Sequence, residues 1–423
     1  MLACGLLALV VLLAGCTQKE ESSGSLPPRP DLGELRPAVR EVISRAYDRA
    51  EGGRAEDLAN LARVLHAHAF HEVAVQVYDL ALAKNGGAFP EVYLSGLAAY
   101  WNDRDEARRR LERAVAIRRD YPAAWLWLGR VHAEAGENLR AREAFLAADR
   151  LLATAYGSLG LARSFMVEGP ERDLRRARSH LEQALAIDRR LPSVHAAWAR
   201  YWRLTGDARR AAESERLAKD AVKERGFPDP ILLEVSLLSR TPSGVRTQID
   251  GLLAMGQAEE ALRRAERYLA EDPGSLDAKL FRANALLRLQ RHADVIAATD
   301  ELLRAAPGEA DYMVLRANAL FGLGRQADAV RQLEAAVAAD PENVGARYTL
   351  GVLLGPVDAR AARTHMRWVL ENAPLRHPEV RSLLARVEDS LGQRDEAARL
   401  LAEALAFDPQ DATALQMKRL LGL

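Results

Sequence analysis

The sequence predicts an all-α solenoid, a fold in which antiparallel helix pairs are stacked along one axis. Its composition is dominated by helix formers such as Ala, Leu, Arg and Glu, and only 6% of the residues are aromatic. Hydrophobic residues make up 49% of the chain, which is enough for a long buried core. Prolines also recur in register, because Pro273, Pro307 and Pro341 are spaced by 34 residues, and Pro374 and Pro409 follow after 33 and 35. A period of this length indicates stacked helical units.

A second marker extends the repeat through the chain. A small residue, nearly always alanine, occurs early in the second helix of each predicted pair, and a larger residue usually follows four positions later. Small side chains let two helices approach closely, and the larger one fills the adjacent groove. The markers are Ala74, Ala107, Ala141, Ala177, Ala211, Ala261, Val295, Ala329, Ala362 and Ala397. They predict about ten helix-turn-helix repeats.

In one unit, Trp125, Gly129, Ala141, Phe145 and Ala148 match the tetratricopeptide motif. The chain resembles the tetratricopeptide repeat family over roughly residues 55–409. This resemblance implies a right-handed superhelix whose first helices line a concave groove, and a scaffold that holds a protein or peptide partner in that groove.

One spacing interrupts the period. Ala211 and Ala261 are 50 residues apart, which is one repeat of 34 plus 16, and prolines flank the apolar run 231–238. We therefore expect a connecting helix over 225–241, and hypothesise a hinge there, between two sub-solenoids at 55–224 and 242–409. Residues 34–54 are predicted to form a leading helix, and residues 410–423 a C-terminal capping helix.

The first sixteen residues have the pattern of a signal peptide. The apolar run 6–13 is shorter than the roughly 20 residues that a membrane-spanning helix needs. It ends in Leu13-Ala14-Gly15-Cys16, which resembles the lipobox of bacterial lipoproteins. The resemblance implies cleavage before Cys16 and lipidation of its thiol; an ordinary signal peptide or a short anchor are the alternatives. Residues 17–33 are polar and rich in Ser, Gly and Pro, and are predicted to be a flexible tether.

The lipobox resemblance also implies a location in the cell envelope. The lipid would anchor the protein in a membrane with its body facing the periplasm, and Thr17 after the cysteine favours the outer membrane over the inner one.

Cys4 and Cys16 are the only cysteines, so the rest of the chain can form neither a disulfide nor a thiolate metal site.

Several function classes find no support in the sequence. Lys plus Arg and Asp plus Glu each number 59, so no global charge attracts nucleic acid. Neither a glycine-rich phosphate loop nor a nucleophile elbow occurs. His66, His68 and His71 are the densest group of potential metal ligands, but residues two apart on a helix point in different directions. We therefore expect no enzyme activity, cofactor, metal, nucleic-acid partner or small-molecule substrate.

The repeat register predicts which side chains face the groove. They are Arg130, Arg246, Asn284, Arg288, Asn318 and Tyr348. Asn284 and Asn318 lie 34 residues apart in similar strings, so their amides should form a ladder able to bond an extended backbone, while Arg246 and Arg288 suit a carboxylate.

The favoured hypothesis is a lipid-anchored scaffold that recruits or assembles an envelope complex, such as a secretion, pilus, polysaccharide-export or cytochrome-maturation system. One alternative is a structural subunit of a permanent envelope complex that uses its convex face and its ends. The other is a cytoplasmic tetratricopeptide regulator that senses peptides.

Overall fold

The computed structural model describes residues 24–167, 169, 172–220 and 226–422. These ranges contain 23 α-helices and no strand. The predicted signal peptide, its lipidation site Cys16 and the first part of the predicted tether lie outside the described residues.

Ten helix pairs form two arrays, and three further helices lie outside the pairs. The first array contains α2 (Ala55–Ala67), α3 (His71–Asn85), α4 (Phe89–Ala99), α5 (Arg104–Ile117), α6 (Pro122–Glu134), α7 (Asn138–Leu151), α8 (Ala155–Phe165), α9 (Leu174–Ile187), α10 (Pro192–Leu204) and α11 (Ala208–Asp220). The second contains α13 (Pro242–Ala254), α14 (Ala258–Glu271), α15 (Leu276–Arg288), α16 (His292–Ala305), α17 (Ala310–Gly322), α18 (Gln326–Ala339), α19 (Val344–Leu354), α20 (Ala359–Asn372), α21 (Val380–Ser390) and α22 (Arg394–Phe407). The unpaired helices are α1 (Pro37–Ala50), α12 (Pro230–Ser236) and α23 (Ala412–Leu421).

This architecture confirms the predicted all-α solenoid. Within each array every helix packs against the next in the chain, and first helices of neighbouring pairs also touch, as α6 and α8 or α15 and α17 do. All ten small markers are buried in the described second helices. Several pairs turn through a glycine with left-handed backbone, as at Gly136 and Gly324 with φ of 77° and 76°.

The N-terminal part of the described chain is attached to the first array. α1 packs against α2. Leu26 and Leu32 lie against the same hydrophobic core, and the Tyr47 hydroxyl donates to the carbonyl of Pro28 over 3.3 Å. The described end of the predicted tether, residues 24–33, therefore contacts the folded body.

The two arrays contact each other near both ends. At one end, Arg36 before α1 lies 2.6 Å from the carboxylate of Asp272 after α14. At the other, the backbone N–H of Leu375 donates to the Asp220 carboxylate over 2.8 Å, and Arg189 donates to the carbonyl of Phe407 over 3.0 Å. None of the described helices is long and apolar enough to cross a membrane.

Candidate partner-binding grooves

The first helices of each array follow one another along one side of it, and most neighbours among them are in contact. We call the surface of α2, α4, α6 and α8 the first groove, and that of α13, α15, α17 and α19 the second groove. The two differ in one important respect, because residues 226–241, here called the linker segment, lie on the first groove.

An aspartate anchors the linker segment. The hydroxyls of Tyr93, on α4, and Tyr121, just before α6, both donate to the Asp229 carboxylate, the latter over 2.6 Å. Asp229 is also the N-cap of α12 and accepts from the backbone N–H of Leu232 over 3.1 Å. In return, the backbone N–H of Ile231 donates to Tyr121 over 3.2 Å. These bonds occupy the polar groups at the start of α12.

The electrostatics keep both tyrosines protonated as donors. Burial raises the pKa of the Tyr93 hydroxyl well above its ordinary value, and the neighbouring Asp229 carboxylate raises it further. Burial and the hydrogen bond to Asp229 raise the pKa of Tyr121 as well. Both hydroxyls can therefore donate to a carboxylate at any physiological pH.

The other end of the linker segment is also fixed. The His68 imidazole bonds the carbonyl of Val64 through Nδ1 over 2.7 Å, and its Nε2 accepts from the backbone N–H of Arg240 over 3.0 Å. Burial lowers the pKa of His68, so the neutral ring that this pairing requires is favoured.

The other two clustered histidines are packing residues in the described structure. His66 is buried beside Tyr78, and burial lowers its pKa to about 3. His71 stacks on Trp101 with ring centroids 5.7 Å apart. Within the described ranges, no group of three or more His, Cys, Asp or Glu side chains is placed to hold a metal ion.

Cavities remain on both sides of α12. One of about 720 Å³ is lined by Trp127, Tyr156, Phe227, Arg130 and Arg163, among others. A second, of about 420 Å³, lies towards His66, Trp101 and Ser239. The linker segment therefore fills only part of the first groove.

The structure distributes the six predicted groove residues over both grooves. Arg130 lies by the first groove, where it pairs with Glu134 over 3.0 Å. The other five, Arg246, Asn284, Arg288, Asn318 and Tyr348, lie on the first helices of the second array.

In the second groove, several of these side chains already have intramolecular partners. Arg246 pairs with Asp277 over 2.7 Å, which joins α13 to α15. Asn284 donates to the carbonyl of Leu280 in its own helix over 3.0 Å. Arg288 is exposed and lies 3.5 Å from the carbonyl of Leu253.

Tyr348 and Asn318 differ from these. The Tyr348 ring stacks on His377 with centroids 3.8 Å apart, and burial and Glu379 raise its pKa. Asn318 is half-buried on α17. One turn further along the same helix, the Phe321 side chain is 50% exposed, so this part of the groove combines an amide with an open aromatic ring.

The repeat pattern in the sequence does not predict a role for Tyr93, Tyr121, Asp229 or Phe321. A signal existed for Asp229, because aspartate followed by proline is a typical helix N-cap and N1 pair. Its contact with two tyrosines has no local signature.

Comparison with known proteins identifies the repeat. Family models described as tetratricopeptide repeat match residues 252–319, and residues 97–156 and 314–354. No curated protein matches the chain.

Solved structures give further matches. A thermophilic TPR protein of Thermus thermophilus is 22% identical over 43% of this chain and 98% of its own, with a TM-score of 0.38. Yeast Tom70 is 13% identical over 87% of this chain and 95% of its own, with a TM-score of 0.39. The family models thus identify tetratricopeptide repeats in the three matched stretches, each of which lies within the described arrays of helix pairs.

Proposed function

We propose that this protein is a lipid-anchored scaffold that binds a segment of a partner protein in its second groove and thereby recruits or assembles a cell-envelope complex. The observation that carries the groove assignment is the exposed Phe321 ring one turn from Asn318. A large exposed aromatic beside polar groups is typical of a binding hot spot, since the ring supplies buried area and the amide supplies direction.

Charge supports an acidic or C-terminal partner segment. Arg246 and Arg288 lie on adjacent first helices, and both guanidinium groups are exposed. A partner carboxylate would have to displace Asp277 from Arg246, an exchange with little net gain, so the exposed Arg288 guanidinium is the group that favours an acidic partner segment.

The groove is tested by affinity capture from crosslinked intact membranes. The test variant carries Arg246→Ala, Asn284→Ala and Asn318→Ala, and a second variant carries Phe321→Ala. The matched control carries Arg263→Ala, Arg304→Ala and Arg331→Ala, which lie exposed on the second helices α14, α16 and α18.

We expect the wild type and the control to capture a dominant partner, and the triple test variant to capture less of it. Phe321→Ala should reduce the captured amount at least tenfold, the change expected for a loss of about 1.4 kcal/mol of binding free energy. Equal capture by all variants would contradict the assignment and move the interface to the second helices or the array ends.

The lipid anchor is tested separately, because it rests on the lipobox resemblance. Cys16→Ala should abolish incorporation of labelled palmitate and shift the protein from the membrane to the soluble fraction. Wild-type protein that remains soluble in the cytoplasm would rule out the anchor and favour a cytoplasmic regulator.

A further inference from the structure

The contact between the linker segment and the first groove has the form of a bound peptide ligand. One carboxylate, that of Asp229, receives two tyrosine hydroxyls, and an apolar face follows it. Val235 is 2% exposed and lies in the core of the first array, while Phe227 and Leu232 pack against that core. Leu233, in contrast, is 53% exposed, so α12 has one buried side and one open side.

The intramolecular ligand is short. α12 has seven residues and contacts α2 and α4. The groove continues past Phe227 into the cavity of about 720 Å³, where Trp127 and Tyr156 supply aromatic walls and Arg130 and Arg163 supply cationic groups. A longer ligand can therefore bury surface that the linker segment does not reach.

We propose that the first groove is a second partner-docking site, which the linker segment keeps closed. The partner is a protein segment with the same chemistry: an aspartate that caps a short amphipathic helix and is preceded by an aromatic residue. This inference goes beyond the proposed function, since it concerns a different groove and does not depend on the lipid anchor.

Competition sets the requirement on the partner. A ligand tethered to its own groove acts at an effective concentration on the order of millimolar. A partner that formed only the contacts that Asp229 and Val235 already form would rarely displace the linker segment. The additional cavity supplies the surface by which a longer partner exceeds the linker segment.

The experiment uses the full chain and a fluorescent peptide of the sequence FPDPILLEVSLLS, which corresponds to residues 227–239. In a linker variant with Asp229→Ala and Val235→Ala, the internal ligand loses its anchor and its buried side chain. Because apparent affinity scales with the fraction of molecules whose groove is open, we expect this variant to bind the peptide at least about tenfold more tightly than the wild type.

Two further variants locate the peptide. Adding Tyr93→Phe and Tyr121→Phe to the linker variant removes both hydroxyls but keeps the rings, and should weaken peptide binding by about tenfold. Adding the second-groove substitutions Arg246→Ala, Asn284→Ala and Asn318→Ala should leave peptide binding unchanged, so failure here is distinguishable from failure of the proposed function.

Equal peptide binding by the wild type and a folded linker variant would overturn the proposal, as would full binding without the two hydroxyls. Circular dichroism establishes whether the linker variant is folded. If it is unfolded, hydrogen exchange on the wild type decides. Isotopically labelled peptide, added well above the roughly millimolar effective concentration of the tethered segment, should accelerate exchange of the linker amides, and unchanged exchange at that concentration would overturn the proposal.

Discussion

At the scale of single residues, glycines allow neighbouring helix pairs to pack closely, because they have no Cβ atom at the point of contact. The Phe145 ring lies between Gly129 of α6 and Gly160 of α8, and a Cβ built on either glycine would lie 2.7 or 2.6 Å from it. We expect Gly160→Ala to lower the free energy of unfolding by about 1–3 kcal/mol, because the ring has glycine on both sides and must move to relieve the clash. Urea denaturation measures this.

Gly251 provides the matched control. It also lies within a helix, α13, but an added Cβ would meet nothing within 4 Å. Gly251→Ala should raise the free energy of unfolding by about 0.5–1 kcal/mol, since alanine is the better helix former. Equal effects at the two glycines would show that Phe145 can move freely.

His66 should make the fold sensitive to acid. Burial holds its pKa at about 3 in the folded state, whereas an unfolded histidine titrates near 6.5. Between these values the unfolded chain binds a proton that the folded chain does not, so stability falls as pH drops from about 6.5 towards 3.

His66→Leu removes this dependence. Relative to the wild type, the variant should gain about 2 kcal/mol of unfolding free energy between pH 7.5 and pH 5. Denaturant titrations of both proteins at the two pH values measure the difference. Parallel losses of stability would mean that His66 becomes protonated inside the fold.

At the scale of elements, a side-chain N-cap hydrogen bond stabilises the first turn of some second helices and is absent from others. The Asp358 side chain accepts from the backbone N–H of Ala361 over 3.0 Å at the start of α20, whereas Gln257 before α14 makes no such bond. We expect Asp358→Ala to cost about 1 kcal/mol and Gln257→Ala to change stability by less than about 0.5 kcal/mol. Thermal denaturation of the two variants checks the pair, and similar shifts would contradict it.

The helices could be predicted from sequence because each repeat contacts mainly its neighbours. The alanine at 261 predicts a buried position in α14 from local spacing alone, and the structure buries it fully. The partners of groove side chains are less local. That Arg246 bonds Asp277, and that Asn284 bonds its own helix, depends on side-chain conformations that the period does not specify.

The position of the linker segment could not be predicted in this way. Asp229 is 136 residues from Tyr93 and 108 from Tyr121. A repeat pattern relates residues about 34 apart, so it carries no information on contacts between a non-repeating insertion and a groove several pairs away. The prolines around 228–242 predict an interruption of the array, and only the three-dimensional arrangement shows what the interruption contacts.

At the scale of the whole molecule, contacts at both ends hold the arrays side by side. Arg36 pairs with Asp272 and lies over the Tyr268 ring at 4.6 Å. At the other end, Asp220 is buried, and this burial raises the pKa of its carboxyl group. Burying the Asp220 carboxylate between the arrays costs desolvation free energy, which its hydrogen bond from the Leu375 N–H offsets.

This arrangement predicts that removing one contact at each end will loosen the association of the arrays. Asp220→Ala leaves the Leu375 N–H without its acceptor and should cost the contact about 1–3 kcal/mol, while Arg36→Ala should cost about 1 kcal/mol or less. The double variant should then show a larger radius of gyration in small-angle scattering than the wild type or either single variant.

Arg178→Ala is the control, because that guanidinium pairs with Glu182 within α9, away from the contacts between the arrays. It should scatter like the wild type. The linker segment still joins the arrays in the double variant, so a broad distribution of dimensions would support the hinge hypothesised for 225–241. An unchanged, single compact shape in the double variant would instead mean that the linker segment, together with remaining contacts such as that of Arg189 with Phe407, is sufficient to fix the arrays, and would count against the hinge.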